Sequence, residues 1–132
     1  MARVVSSEWQ VEYSKPHQRL EVWKQAMLLV KEVYRATATF PKEESFGLVS
    51  QMWRAAVSIP SNIAEGAARH GNREYLHFLG IARGSLSELD TQIHIAIMLG
   101  YIPADHPIIE IADRVGKLLT GFSRKLTKAE DK

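Results

Sequence analysis

Apolar residues recur along most of this chain in alternating steps of three and four, the period of helices packed face to face. In the first such segment, Leu20, Trp23, Met27, Val30, Tyr34 and Thr37 form a seam. A second stripe, Val22, Ala26, Leu29, Val33, Ala36 and Phe40, runs beside it with similar spacing. Two adjacent stripes make an apolar face wider than one seam requires. The pattern predicts a helix from about Gln18 or Arg19 that ends before Pro41, because proline biases its predecessor away from α geometry. Leu48, Met52, Ala55, Ile59, Asn62 and Gly66 continue the rhythm in a second helix, with Pro60 inside it. That proline removes one backbone donor and crowds the carbonyl of Ala56, so a kink or break is expected there. Ser58, Ser61 and Asn62 surround it with short polar side chains able to bond the freed backbone groups.

The third segment is the most regular. Tyr75, Leu79, Ala82, Leu86, Leu89, Ile93, Ala96 and Gly100 keep the rhythm, with Asn72 as the expected N-cap and Glu74 in the first turn. Gly84 and Ser85 are small and mid-helix, which would let a neighbouring backbone approach closely. Gly100 suits the position just past a helix end, and Pro103 prevents continuation. A fourth helix is expected from about Asp105 to Lys128, with Ile108, Ala112, Val115, Leu119, Phe122 and Leu126 on its seam. Residues 1–17 lack a sustained period and read as an extended or disordered arm, and 129–132 as a tail. Short connections favour an all-α, antiparallel up-down-up-down four-helix bundle over 18–128, its second helix kinked at Pro60.

Composition narrows the class of function. The 132 residues are 45% hydrophobic and 24% charged, ordinary for a globular protein. There is no cysteine, which excludes disulfides and thiolate metal sites. No apolar stretch approaches the ~20 residues that span a bilayer, and no secretory signal is evident, so a cytoplasmic chain without a membrane partner is expected. The net charge is only +2. Its distribution says more: Arg114, Lys117, Arg124, Lys125, Lys128 and Lys132 face only Glu130 and Asp131 in the last segment, a local +4. Cations there complement the negative end of a helix dipole, and they also suit a nucleic-acid footprint.

Catalytic equipment is hard to find. A di-iron bundle needs two Glu-x-x-His pairs and two further Glu, since two hard cations require that many converging ligands. Glu74-Tyr-Leu-His77 supplies one pair, with His70 four residues earlier, and the sequence has no second. Asp90 precedes His94 at the wrong spacing. Gly84-Ser-Leu-Ser lacks the strand that a nucleophile elbow needs, and the glycines form no phosphate-cradling loop. No enzyme, metal or cofactor is expected. What remains is a basic and polar set about the second-to-third helix junction: Arg54, Arg69, His70, Arg73, His77 and Arg83. Arg69, Arg73 and His77 would share a face if helical, and guanidinium groups suit phosphate. The competing expectation is that these arginines pair with Glu65, Glu74 and Glu88.

Ser58-Ile-Pro-Ser-Asn-Ile-Ala-Glu-Gly66 is unusual for the middle of a bundle helix. It resembles the signature of the four-helix bundle proteins encoded in intervening sequences of bacterial 23S ribosomal RNA genes. That family is itself similar to the accessory variability protein of diversity-generating retroelements. Further matches follow in order: Leu20-Glu-Val-Trp23, Gln51 with Arg54-Ala-Ala56, Glu65-Gly66 with Arg69, Ala82-Arg-Gly-Ser-Leu-Ser-Glu-Leu89, and Leu99-Gly-Tyr101. Where the family often has two basic residues before Ala55-Ala56, this chain has Trp53-Arg54. The resemblance implies a non-enzymatic protomer of a homopentamer with a basic surface for RNA or DNA. By position it points to Arg54 and Arg69 as phosphate contacts, with Arg73 added for its spacing. Ser58, Pro60, Ser61, Asn62, Glu65, Gly66, Gly84, Ser85 and Glu88 are the structural motif, Glu65 and Glu88 being charged partners within or between subunits. The alternative is a scaffolding oligomer whose partner is another protein.

Overall fold

The computed structural model describes residues 4–5, 12–13 and 15–130. Most of the arm expected over 1–17 and the end of the tail, 131–132, lie outside the described residues. Within the arm, β1 (Val4–Val5) pairs antiparallel with β2 (Glu12–Tyr13). A 3-10 turn over Pro16–Arg19 then leads to α1 (Glu21–Thr37), which starts later than expected because Leu20 is extended, with ψ of 131°. The other helices are α2 (Leu48–Ala67), α3 (Asn72–Met98) and α4 (Pro107–Glu130). α1 packs on α2 and α4, and α3 packs on the same two, so the four enclose one core.

On α1 the two stripes exchange the roles expected of them. Val22, Ala26, Leu29, Val33 and Ala36 are buried, whereas Leu20, Met27 and Val30 are half-buried and Tyr34 is exposed. Identical spacing makes the stripes equivalent in sequence, and the position of the neighbouring helices decides which is covered. Trp23 and Thr37 are buried with the core stripe. The seams of α2, α3 and α4 hold, with Met52, Ile59, Leu79, Leu89, Ile93, Ile108, Val115 and Leu119 fully enclosed. Each such aliphatic side chain contributes roughly 1.5–3 kcal/mol by leaving water.

α2 runs through Pro60 without a break. Ser61 Oγ donates to the Val57 carbonyl at 2.7 Å and Asn62 Nδ2 to that of Ser58 at 2.8 Å, giving extra donors to carbonyls next to the one Pro60 leaves unbonded. At Gly66 α2 and α3 approach closely: a Cβ there would lie 2.8 Å from Tyr75 Cδ1 and 3.1 Å from Phe78 Cβ. Gly84 does not play that part, since nothing lies within 4 Å of its would-be Cβ.

The helix ends refine the expected boundaries. Gly71, at φ 88°, takes the N-cap position expected of Asn72, which is instead the first residue of α3. At the other end Gly100, at φ 79°, ends α3 in a Schellman motif. The Tyr101 amide bonds Ala96 O and the Gly100 amide bonds Ile97 O. α4 begins at Pro107 rather than Asp105, with His106 Nδ1 accepting from the Ile108 amide at 3.1 Å, and continues two residues past Lys128.

Candidate nucleic-acid interface

The family-like motif residues gather where α2 faces α3. Ser58 Oγ and Ser85 Oγ lie 2.8 Å apart, and Asn62 Nδ2 also donates to Ser58 Oγ at 2.9 Å. With Gln51, Arg54, Ala55 and Glu88 the two serines line an open cleft of about 590 Å³. Glu88 accepts from Gln92 Nε2 at 3.3 Å, while the buried Gln92 Oε1 has no partner among the described residues. Arg54 is exposed and makes no ion pair or hydrogen bond among the described residues.

The basic set expected at the helix junction does not form one face. α2 ends at Ala67 and Gly71 reverses the chain, so Arg69 is not in helical register with Arg73 and His77. Arg69 is bonded to Glu65, and its guanidinium carbon lies 4.9 Å above the Phe78 ring. Both charges are nearly half exposed, so the pair adds at most about 1 kcal/mol, yet it occupies the guanidinium. Arg73 is exposed on α3, about 120° around that helix from Ser85 by the 3.6-residue turn. Arg83 departs furthest from expectation, because it faces α4.

There it joins the cations of the C-terminal segment. A cleft of about 790 Å³ between α3 and α4 is lined by Arg83, Lys117 and Arg124, with Asp90 and Asp113 on its walls. A second hollow of about 400 Å³ continues it past Arg83 and Arg124 to Lys128. The floor is open because two α4 residues are glycines: a Cβ at Gly121 would meet nothing within 4 Å, and one at Gly116 only Leu86 at 3.4 Å. Arg83, Lys117, Arg124 and Lys128 have no ion pair or hydrogen bond among the described residues. Lys117, Arg124 and Lys128 are seven and four residues apart on α4, hence on one face, over roughly 16 Å at 1.5 Å per residue. Sequence reasoning registered these α4 cations only as an excess of charge. Their 7-and-4 spacing was the available signal, but their pairing with Arg83 depends on how α3 meets α4.

Tyr75 sits half-buried beneath the junction, with its ring edge-on to Phe122 at 5.2 Å. Burial pushes its phenol up to about 12, so it stays neutral and adds no charge to this surface. Among the described residues no three His, Cys, Asp or Glu cluster closely enough to hold a metal, and Glu74 and His77 are exposed on α3. No helix of the described residues is long and apolar enough to cross a membrane.

The sequence profile of the 23S rRNA-intervening sequence proteins matches residues 18–121, which include every helix-packing motif above except the last turns of α4. The chain belongs to that family. A solved structure has the same fold: a protein with unknown function from the S23 ribosomal protein family of Bacteroides thetaiotaomicron VPI-5482. It superposes with a TM-score of 0.71 at 19% identity, over 78% of this chain and 95% of that one. At that identity the likeness speaks for the bundle alone. No curated protein matches. The family match begins at the 3-10 turn before α1 and leaves out the last basic residues of α4, so Arg124 and Lys128 lie outside the matched segment while Arg83 and Lys117 lie inside it.

Proposed function

We propose that this member of the 23S rRNA-intervening sequence family is a non-enzymatic, homo-oligomeric bundle that binds RNA or DNA through backbone phosphates. The observation that carries this is the row of unpartnered cations, Arg83, Lys117, Arg124 and Lys128, along one open groove. Phosphate recognition needs donors that are not already satisfied, and of the arginines first expected to serve, Arg69 is engaged by Glu65. Arg54 and Arg73 lie on other faces and are not among the contacts in this reading. The five-subunit assembly, like the resemblance to the accessory variability protein, belongs to this reading as what the sequence motifs imply. The facing of Gly66 on Tyr75 and of Ser58 on Ser85 supports the antiparallel, up-down-up-down course of α2 and α3.

Binding to duplex DNA and to structured and single-stranded RNA, titrated against salt, tests the proposal. Four phosphate contacts give a slope of log K against log salt of about −3.6 for a duplex and about −2.8 for a single strand. Reversing Arg83 and Arg124 together to Glu removes two contacts and brings the duplex slope to about −1.8 or shallower. Arg73→Glu, outside the groove, leaves the slope near that of the unaltered chain. No binding at low salt overturns the nucleic-acid role, and an unchanged slope in the double variant overturns the groove as its site.

A further inference from the structure

The α3–α4 groove is polarised along its length, and its row of cations is only half of it. Arg83 and Arg124 border both hollows, and Lys128 lines the second. Asp90, Thr91 and Asp113 line only the larger one, so they stand at the end away from Lys128. On α4, Asp113 is one turn before Lys117 and about 17 Å before Arg124, at 1.5 Å per residue. The two ends differ in what they can bond as well as in charge. Guanidinium and ammonium groups only donate, whereas carboxylates only accept. Thr91 joins the acceptors, because its hydroxyl proton is already given to Ser87 O at 3.0 Å. Asp113 has no ion pair or hydrogen bond among the described residues. The Asp90 carboxylate meets only His94 among them, whose Nδ1 is 3.8 Å away, beyond hydrogen-bond reach.

A ligand that fills the whole groove therefore brings acceptors to one end and donors to the other. Phosphate suits only the first, since against Asp90 and Asp113 it meets like charge. The sugar–phosphate backbone of DNA has no donor to offer there. That of RNA does, because every ribose carries a 2′-hydroxyl able to donate. Among the described residues no aromatic ring lines either hollow, so unpaired bases find no stacking platform of the kind that holds single strands. In an A-form duplex the 2′-hydroxyls are displayed in a wide, shallow minor groove beside the phosphates. We infer that this groove recognises double-stranded RNA, with Arg83, Arg124 and Lys128 on backbone phosphates and Asp90 and Asp113 accepting from 2′-hydroxyls of the adjoining riboses. This rests on the phosphate-binding reading above and adds the class of nucleic acid and the side chains that select it. In DNA the same two carboxylates face carbon-bound hydrogen, and they lose water without gaining a partner.

Probes of one sequence, titrated against the intact chain at low salt, test this: an RNA duplex, the DNA duplex, an RNA duplex with 2′-O-methyl riboses, and one RNA strand alone. Methylation keeps the phosphates and the A-form but removes the hydroxyl proton. The RNA duplex should bind about tenfold tighter than the DNA and methylated duplexes, the difference that one hydrogen bond to a charged group makes. The single strand should also bind more weakly than the RNA duplex. Asp90→Ala combined with Asp113→Ala, both at exposed positions, should remove most of the preference, with DNA binding strengthened by the loss of like charge. If no probe binds, the phosphate-binding reading itself fails. If the probes bind but the DNA or methylated duplex matches the RNA duplex, or the single strand exceeds it, only the selection fails. These comparisons use the unaltered chain, so they decide the matter even if the double variant misfolds. A folded double variant that keeps the full preference overturns the two aspartates as its source.

Discussion

Two faces of the same bundle divide its surface chemistry. The α1–α2 face carries a stacked Tyr34–Trp53 pair tied to Thr37, with little unpaired charge apart from Arg54 at its edge. The α3–α4 groove carries four cations over a floor opened by Gly116 and Gly121 and few exposed apolar side chains. Both are built from ordinary amphipathic helices. Their difference comes from what stands just outside the core stripe: large aromatics on α1 and α2, glycines and long basic side chains on α3 and α4. A bundle core is satisfied either way, so the flanking positions are free to serve different partners. One face is aromatic and apolar, and the other is cationic.

The sharpest structural contrast lies between glycines, and substitutions at them separate the tightly packed side from the open one. Gly66→Ala should destabilise by about 1–3 kcal/mol, because the new methyl on α2 drives into the Tyr75 ring and the Phe78 Cβ of α3. Urea unfolding followed by circular dichroism would register this, and an unchanged midpoint would mean that α2 and α3 are less closely packed at this end. Replacing Trp53 by Phe keeps most of the stack on Tyr34 but removes the hydrogen bond to Thr37, at a cost of about 1 kcal/mol in the same measurement. Thr37 Oγ1 still donates to Val33 O, which limits the loss. A much larger loss would show that the indole anchors α1 to α2 as well as forming their exposed face.

The smallest expected effect has the opposite sign. Gly121→Ala should stabilise by about 0.5–1 kcal/mol, since a Cβ there meets nothing and alanine loses less backbone freedom in a helix than glycine does. Thermal unfolding would show a higher midpoint. A fall instead would mean that the groove floor closes in solution. The same chemical change thus gives opposite signs on the two sides of α3.

Much of this was readable in advance, and the failures have identifiable causes. The long seam of α3 and the turn at Gly100 needed only local information, because periodicity and a positive-φ glycine act within one helix. The two stripes of α1 share one spacing, and only the positions of α2 and α4 distinguish them. Arg69, Arg73 and His77 would share a face only if one helix carried all three, and Gly71 at φ 88° separates Arg69 from the other two. Gly84 was expected to be the close-approach glycine, but that role belongs to Gly66, since close approach is a property of two elements.

Sequence alone determined that this is an all-α chain, where its helices run, its membership of the 23S rRNA-intervening sequence family and the absence of thiol chemistry. Each of these rests on residue type and on spacing within a turn or two. Tertiary structure decided which stripe of α1 is core, which arginine is engaged by Glu65, and that Arg83 belongs with Lys117, Arg124 and Lys128. Those outcomes depend on distances between residues far apart in the chain, which packing sets when the core closes.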